Sequence, residues 1–165
     1  PIGKVHEKNT EMHANSTGSN TRAPSSTDMV RELKILYLFS GPSRKGSIED
    51  QAVARARTDR VSLTFKAIDT LNDGPSGDIL NDEIWSGILG TIRAGKWDVI
   101  IISPPCETFS RARANNNGPP TLRSAEYPNG YPWLEGREKK MTENANKLIE
   151  RSFSAIFEGR KSHSR

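Results

Sequence analysis

A lone thiol, Cys106, follows Pro104 and Pro105 and is by type the best nucleophile in the chain. Val99 to Ile102, with Trp97 before them, form an apolar run like the inner strands of a parallel α/β sheet, so a central strand is expected there. The two prolines cannot donate to a ladder and turn the chain out of the sheet at its carboxyl edge. Ligands of open α/β sheets gather outside that edge, so the thiol is delivered where a reactive group works. The competing reading is a buried small hydrophobe, which is what most unpaired cysteines are.

Two carboxylates and a turn could serve a nucleoside. Asp69 closes the run Val61 to Asp69; in nucleotide-binding sheets a second-strand acid accepts hydrogen bonds from ribose hydroxyls. A solvated strand-end acid has the same spacing. Asp78 and Ile79 follow the loop Gly74-Pro75-Ser76-Gly77. Phe39, Ser40 and Gly41 open a turn between an apolar run and a helical stretch, where backbone N–H groups can approach a ligand. As a phosphate-binding P-loop the turn fails, because Gly46 occupies the place of the lysine before Ser47. As a dinucleotide fingerprint it fails at Ser43, and a simple turn remains the alternative. Arg111, Arg113 and Arg123 flank the cysteine loop as phosphate contacts, with a solvated basic surface as the other reading. Tyr127, Tyr131 and Trp133 either stack on bases or tuck the loop against the domain.

These groups need a scaffold of alternating strands and helices. Lys34 to Phe39 reads as a first strand, and Ser47 to about Arg60 as a helix with a capping-box-like start. Val61 to Asp69 is a second strand. Asn81 caps a helix with Asp82 and Glu83 in its first turn, an apolar face of Ile84, Trp85, Ile88, Leu89 and Ile92, and Gly95 at its end. After the cysteine strand, residues 114–135 form a long irregular loop. A last helix is expected over 142–158, with Ala145, Leu148, Ile149, Phe153, Ile156 and Phe157 as its apolar face and Gly159 as its stop.

Ser-Pro-Pro-Cys followed by Thr108-Phe109-Ser110 resembles the Pro-Cys motif of the cytosine-5 DNA methyltransferases, whose usual form is close to Gly-Pro-Pro-Cys-Gln-x-Phe-Ser. Ser103 replaces the Gly and Glu107 the Gln. Leu38, Phe39 and Gly41 match that family's Asp-Leu-Phe-x-Gly-x-Gly, with Tyr37 for the Asp and Ser43 for the second Gly; Gly77-Asp78-Ile79 matches its Gly-Asp-Ile element. The resemblance covers about residues 33–158 and implies the amino half of a Rossmann-like, S-adenosylmethionine-dependent methyltransferase fold. It implies S-adenosyl-L-methionine as cofactor, held by Phe39, Ser40, Gly41, Asp69, Asp78, Ile79 and Pro104. It implies Cys106 as the nucleophile that adds to C6 of a cytosine flipped out of DNA, with RNA as the alternative polymer. The family's Glu-Asn-Val motif, arginine motif and target-recognition region have no counterpart, so the chain reads as truncated and is not expected to be active alone. A noncatalytic nucleotide- or nucleic-acid-binding α/β module is the alternative function.

At 33% hydrophobic residues the core should be modest. Residues 1–32 are polar and lack periodicity, so they are expected to be a disordered tail ahead of a domain over 33–159, with 160–165 a basic end. Lysine and arginine number 24 against 20 acids, a net +4 that suits a polyanion without requiring one. No run reaches the roughly 18 apolar residues of a membrane span. A single cysteine excludes an intrachain disulfide and fits a reducing, intracellular setting.

Overall fold

A computed structural model describes residues 32–114 and 118–163. The chain alternates β1 (Glu32–Leu38), α1 (Ile48–Asp59), β2 (Ser62–Ile68), a one-turn α2 (Thr70–Asp73), a 3₁₀ turn (Gly74–Gly77), α3 (Asp82–Arg93), β3 (Val99–Ile102), a second 3₁₀ turn (Arg111–Ala114) and α4 (Gly136–His163). The expected disordered tail lies outside the described residues, except Glu32, which opens β1. Arg165 lies outside them too.

All three strands are parallel, in the order β2-β1-β3, with Ile35 opposite both Phe65 and Val99. This is an α/β fold with a small parallel sheet, compatible with part of a Rossmann-like sheet. The expectation of a central cysteine strand is corrected: β1 is central and β3 lies at an edge among the described residues, with Val99 40% exposed. A continuous apolar run signals burial on both faces, yet it carries no information about which edge has a neighbour.

One face of the sheet builds the core. Leu36, Leu38 and Ile68 pack with Ile79, Ile88, Ile92, Trp97 and Ala155. Each large aliphatic side chain so buried contributes about 1.5–3 kcal/mol of transfer free energy. On the other face Tyr37 and Ala67 share a shallow cleft with Ile48 at the start of α1. Helices therefore cover both faces, as βαβ crossovers require.

Local signals set the helix ends. Ser47 caps α1 by accepting from the Asp50 N–H at 3.2 Å, and Asn81 caps α3 by accepting from Glu83 and Ile84. Gly95 follows α3 at φ +65°, where a side chain would be strained. The last helix departs most from expectation. It starts at Gly136 and runs through the expected stop at Gly159 to His163, 28 residues in all, so the basic residues Arg160 and Lys161 lie in its last turn.

Gly159 is a packing site: a Cβ there would meet Ile100 Cδ1 at 2.9 Å. The helix buries Ala145, Ser152, Ala155 and Gly159, whereas Phe153, Ile156 and Phe157 are 57%, 45% and 59% exposed. Small residues let the helix axis come close to β3 and α3, and that rotation turns the large apolar side chains outward.

Candidate active site

The order β2-β1-β3 places the topological switch of this sheet between β1 and β3, because β1 leads to β2 on one side and the chain then crosses to the other. Crevices outside the carboxyl ends of strands at such a switch are where open α/β sheets hold ligands. At this edge the Ser103 N–H donates to Leu38 O at 3.1 Å, and the Tyr37 and Ser103 hydroxyls share a hydrogen bond at 3.3 Å. Tyr37, which stands where the resemblance expects an acid, thus ties the end of β1 to the end of β3.

The turn after β1 is strained and braced. Phe39 has φ +60°, a conformation bulky residues rarely adopt, and its N–H donates to Ile68 O at 2.9 Å. Strain of this kind persists only where the surroundings over-determine it, and it clusters at ligand sites. Gly41 follows at φ +70°, with open space where its Cβ would be. Its N–H donates to Asp69 Oδ2 at 2.9 Å. Asp69 Oδ1 accepts from the Leu71 N–H at 2.9 Å, which caps α2.

Asp69 is therefore a structural acceptor for two backbone amides, and each carboxylate oxygen keeps a further lone pair for a ligand. Asn72, which sequence reasoning missed, completes the brace: it donates to Gly41 O at 2.6 Å and accepts from the Ser43 N–H at 2.8 Å. No motif marks an asparagine whose job depends on a loop 31 residues away. Ser40 donates to Gly41 O at 3.2 Å, within the same turn.

Gly77 is buried against β2: a Cβ would lie 2.4 Å from Asp69 O and 2.9 Å from Asp73 Cβ. This contact sets Asp78 beside the end of β2, half-buried, with Oδ1 accepting from the Leu80 N–H at 2.9 Å. The expectation that Ile79 lines a cofactor is corrected: its side chain is 3% exposed within the core cluster, and its carbonyl accepts from buried Arg151. Gly77 turns the chain so sharply that Asp78 faces out and Ile79 inward.

Beyond β3, half-buried Pro104 leads to Cys106, which is exposed. The Cys106 carbonyl accepts from the Phe109 N–H at 2.9 Å, closing a turn that presents the thiol. The buried-hydrophobe reading of Cys106 thus fails on exposure.

Two of the three arginines read as phosphate contacts point inward instead. Arg113 is 9% exposed and donates to Glu107 O at 2.8 Å and Pro120 O at 3.0 Å. Arg123 is half-buried, and burial pushes its guanidinium below its ordinary pKa. It donates to Thr108 Oγ1, Asn146 Oδ1 and Pro128 O, and lies 3.7 Å over the Phe109 ring. A long loop exposes many carbonyls, and a five-donor fork is the group that satisfies several at once. Arg113 and Arg123 hold the loop; the Arg111 side chain lies outside what the structure describes.

No family model, curated protein or solved structure matches this chain. No described helix is long and apolar enough to cross a membrane.

Proposed function

We propose that this chain is an S-adenosylmethionine-dependent methyltransferase-like domain, whose reaction is cytosine-5 methylation of DNA through Cys106. The observation that carries the reading is the exposed Cys106 thiol at the same sheet edge as the braced Phe39–Gly41 turn and Asp69, beside the switch point. The donor set suits a nucleoside: two carboxylates with free lone pairs and a glycine facing open space, at a turn whose Phe39 ring packs against the core. When bound, S-adenosylmethionine supplies the methyl group.

Asp69 and Asp78 accept from hydroxyl and amino groups of the ligand, and the fixed Gly41 backbone holds it at the strand ends. Cys106 Sγ bonds to cytosine C6 as the C5–C6 π pair moves to C5. Once C5 carries the methyl group, its proton passes to a base, the electron pair of that C5–H bond re-forms the C5–C6 double bond, and the C6–S bond breaks to release the thiolate.

Calorimetry with S-adenosylhomocysteine tests the cofactor half, and Asp69→Ala should weaken binding by about 1–3 kcal/mol. A DNA duplex carrying 5-fluorocytosine tests the chemistry: with cofactor present, the chain joined to the carboxyl half of a catalytic domain should trap a covalent complex that Cys106→Ser abolishes. Failure of the wild type to bind S-adenosylhomocysteine would remove the proposal.

A second reading, a nucleotide-binding module without covalent chemistry, draws on the Cys106 thiol, which has no hydrogen-bond partner among the described residues to activate it. Cofactor binding with no trapping would select it.

A further inference from the structure

We propose that the loop between β3 and α4 carries a preformed stacking shelf for an unpaired nucleobase, with Trp133 as its surface. Trp133 is 64% exposed, more than Phe109, Phe153 or Phe157, while its ring is stacked on Tyr131 at 4.8 Å and 9°. Tyr127 supports both rings edge-on, at 5.8 Å from Tyr131 and 5.5 Å from Trp133. One face of the indole is thus held by an aromatic partner, and the side chain still presents most of its surface to solvent.

The shelf is fixed in place. The Tyr131 N–H donates to Leu122 O at 3.0 Å, Asn146 Nδ2 donates to Asn129 O at 2.8 Å, and Arg123 ties Pro128 to Thr108, two residues beyond Cys106. Gly130, at φ +112°, lies so close to Thr142 that a Cβ would meet Cγ2 at 2.5 Å, which locks the loop onto α4. A ring ordered before binding loses little entropy when it stacks, so its exposed surface is available for affinity.

A flat π-face accepts any base, and unpaired bases stack on such rings wherever proteins hold single strands. Exposed Arg137, Lys139 and Lys140 follow within two turns of α4, close enough in sequence to meet the phosphates on either side of a stacked base. The ligand class is therefore a single-stranded stretch of nucleic acid, or the unstacked base of an opened duplex. This inference stands apart from the methyl-transfer reading, because neither cofactor nor Cys106 enters the measurement.

The test titrates the full chain with a 15-nucleotide single-stranded oligodeoxycytidine, following tryptophan fluorescence and the anisotropy of the labelled strand. Wild-type binding should quench tryptophan emission; by strand anisotropy Trp133→Phe should bind within a few-fold of wild type and Trp133→Ala about 5- to 100-fold more weakly. Trp133 is exposed, so both variants should keep the wild-type circular dichroism and melting temperature. A duplex of the same length should bind more weakly, with no difference between wild type and Trp133→Ala. No binding by the wild type, an Ala variant that binds like wild type, or a Phe variant as weak as Ala would each overturn the proposal.

Discussion

Gly77 and Gly159 look alike in sequence and differ in what surrounds them. A methyl group at Gly77 would strike the Asp69 carbonyl at 2.4 Å, and a backbone that also carries the Gly41 brace cannot move aside cheaply. Gly77→Ala should therefore cost about 1–3 kcal/mol or more in urea unfolding. At Gly159 the obstacle is Ile100 Cδ1, the far end of a flexible side chain, and alanine gains about 1 kcal/mol of helix propensity. Gly159→Ala should stay within about 1 kcal/mol of wild type in the same assay. A Gly77→Ala protein as stable as wild type would show that the approach of the 3₁₀ turn to β2 is looser than described. The Gly-Asp spacing was legible at Gly77, but the reason for the glycine was not, because the atom that forbids a Cβ lies eight positions earlier in the chain.

At the scale of elements, α4 is oriented by polar contacts that its apolar pattern does not announce. Arg151, 6% exposed, donates to Ile79 O, to Asn81 O at 3.1 Å and to Asp82, and lies 5.5 Å over the Trp85 ring. Lys147 adds a bond to Asp82 at 2.9 Å. Together they dock α4 on the start of α3, and Arg151→Met should cost about 1–3 kcal/mol by leaving buried carbonyls unpaired.

The hydrogen bond from Lys147, its charge, and the Arg151 hydrogen bond hold the Asp82 carboxyl below its ordinary value of 3.8. A depressed folded-state value means the contribution is complete above that ordinary value and is lost as pH falls through the lower folded one. Glu158 follows the same sign through its bond from Arg93. Asp82→Asn should be less stable than wild type at pH 6, and the gap should narrow as the pH falls below the ordinary carboxylate value of 3.8. Urea melts at pH 6 and in progressively stronger acid check this; a gap that does not narrow would mean the carboxylate charge is not what matters. Helix α3 and its caps followed directly from local residue types, whereas the rotation of α4 depended on partners roughly 70 residues away.

For the molecule as a whole, the exposed apolar side of α4 beside the β3 edge is the feature that most affects behaviour in solution. Phe153, Ile156 and Phe157 stand out from the helix, and a groove of about 370 Å³ runs between Ile156 and Ile100 and Ile102. Contiguous exposed apolar surface binds hydrophobic dyes and promotes association. Phe157→Glu should lower dye fluorescence and raise the solubility limit while leaving the melting temperature within a few degrees, since the ring is 59% exposed and contributes little burial. A collapse of the melting temperature would place Phe157 in the core instead.

The three strands, helices α1 and α3 with their caps, and the arrival of Cys106 at a sheet edge were determined by the sequence itself, because apolar runs, prolines and capping residues act over a few neighbours. Only the tertiary structure decided that β3 is an edge among the described residues, that Ile79 belongs to the core, and that Arg113 and Arg123 hold the loop. Those outcomes depend on pairing and packing between distant segments. A guanidinium has the same local sequence signal whether it meets a phosphate or a row of loop carbonyls, and only the folded chain brings the carbonyls to it.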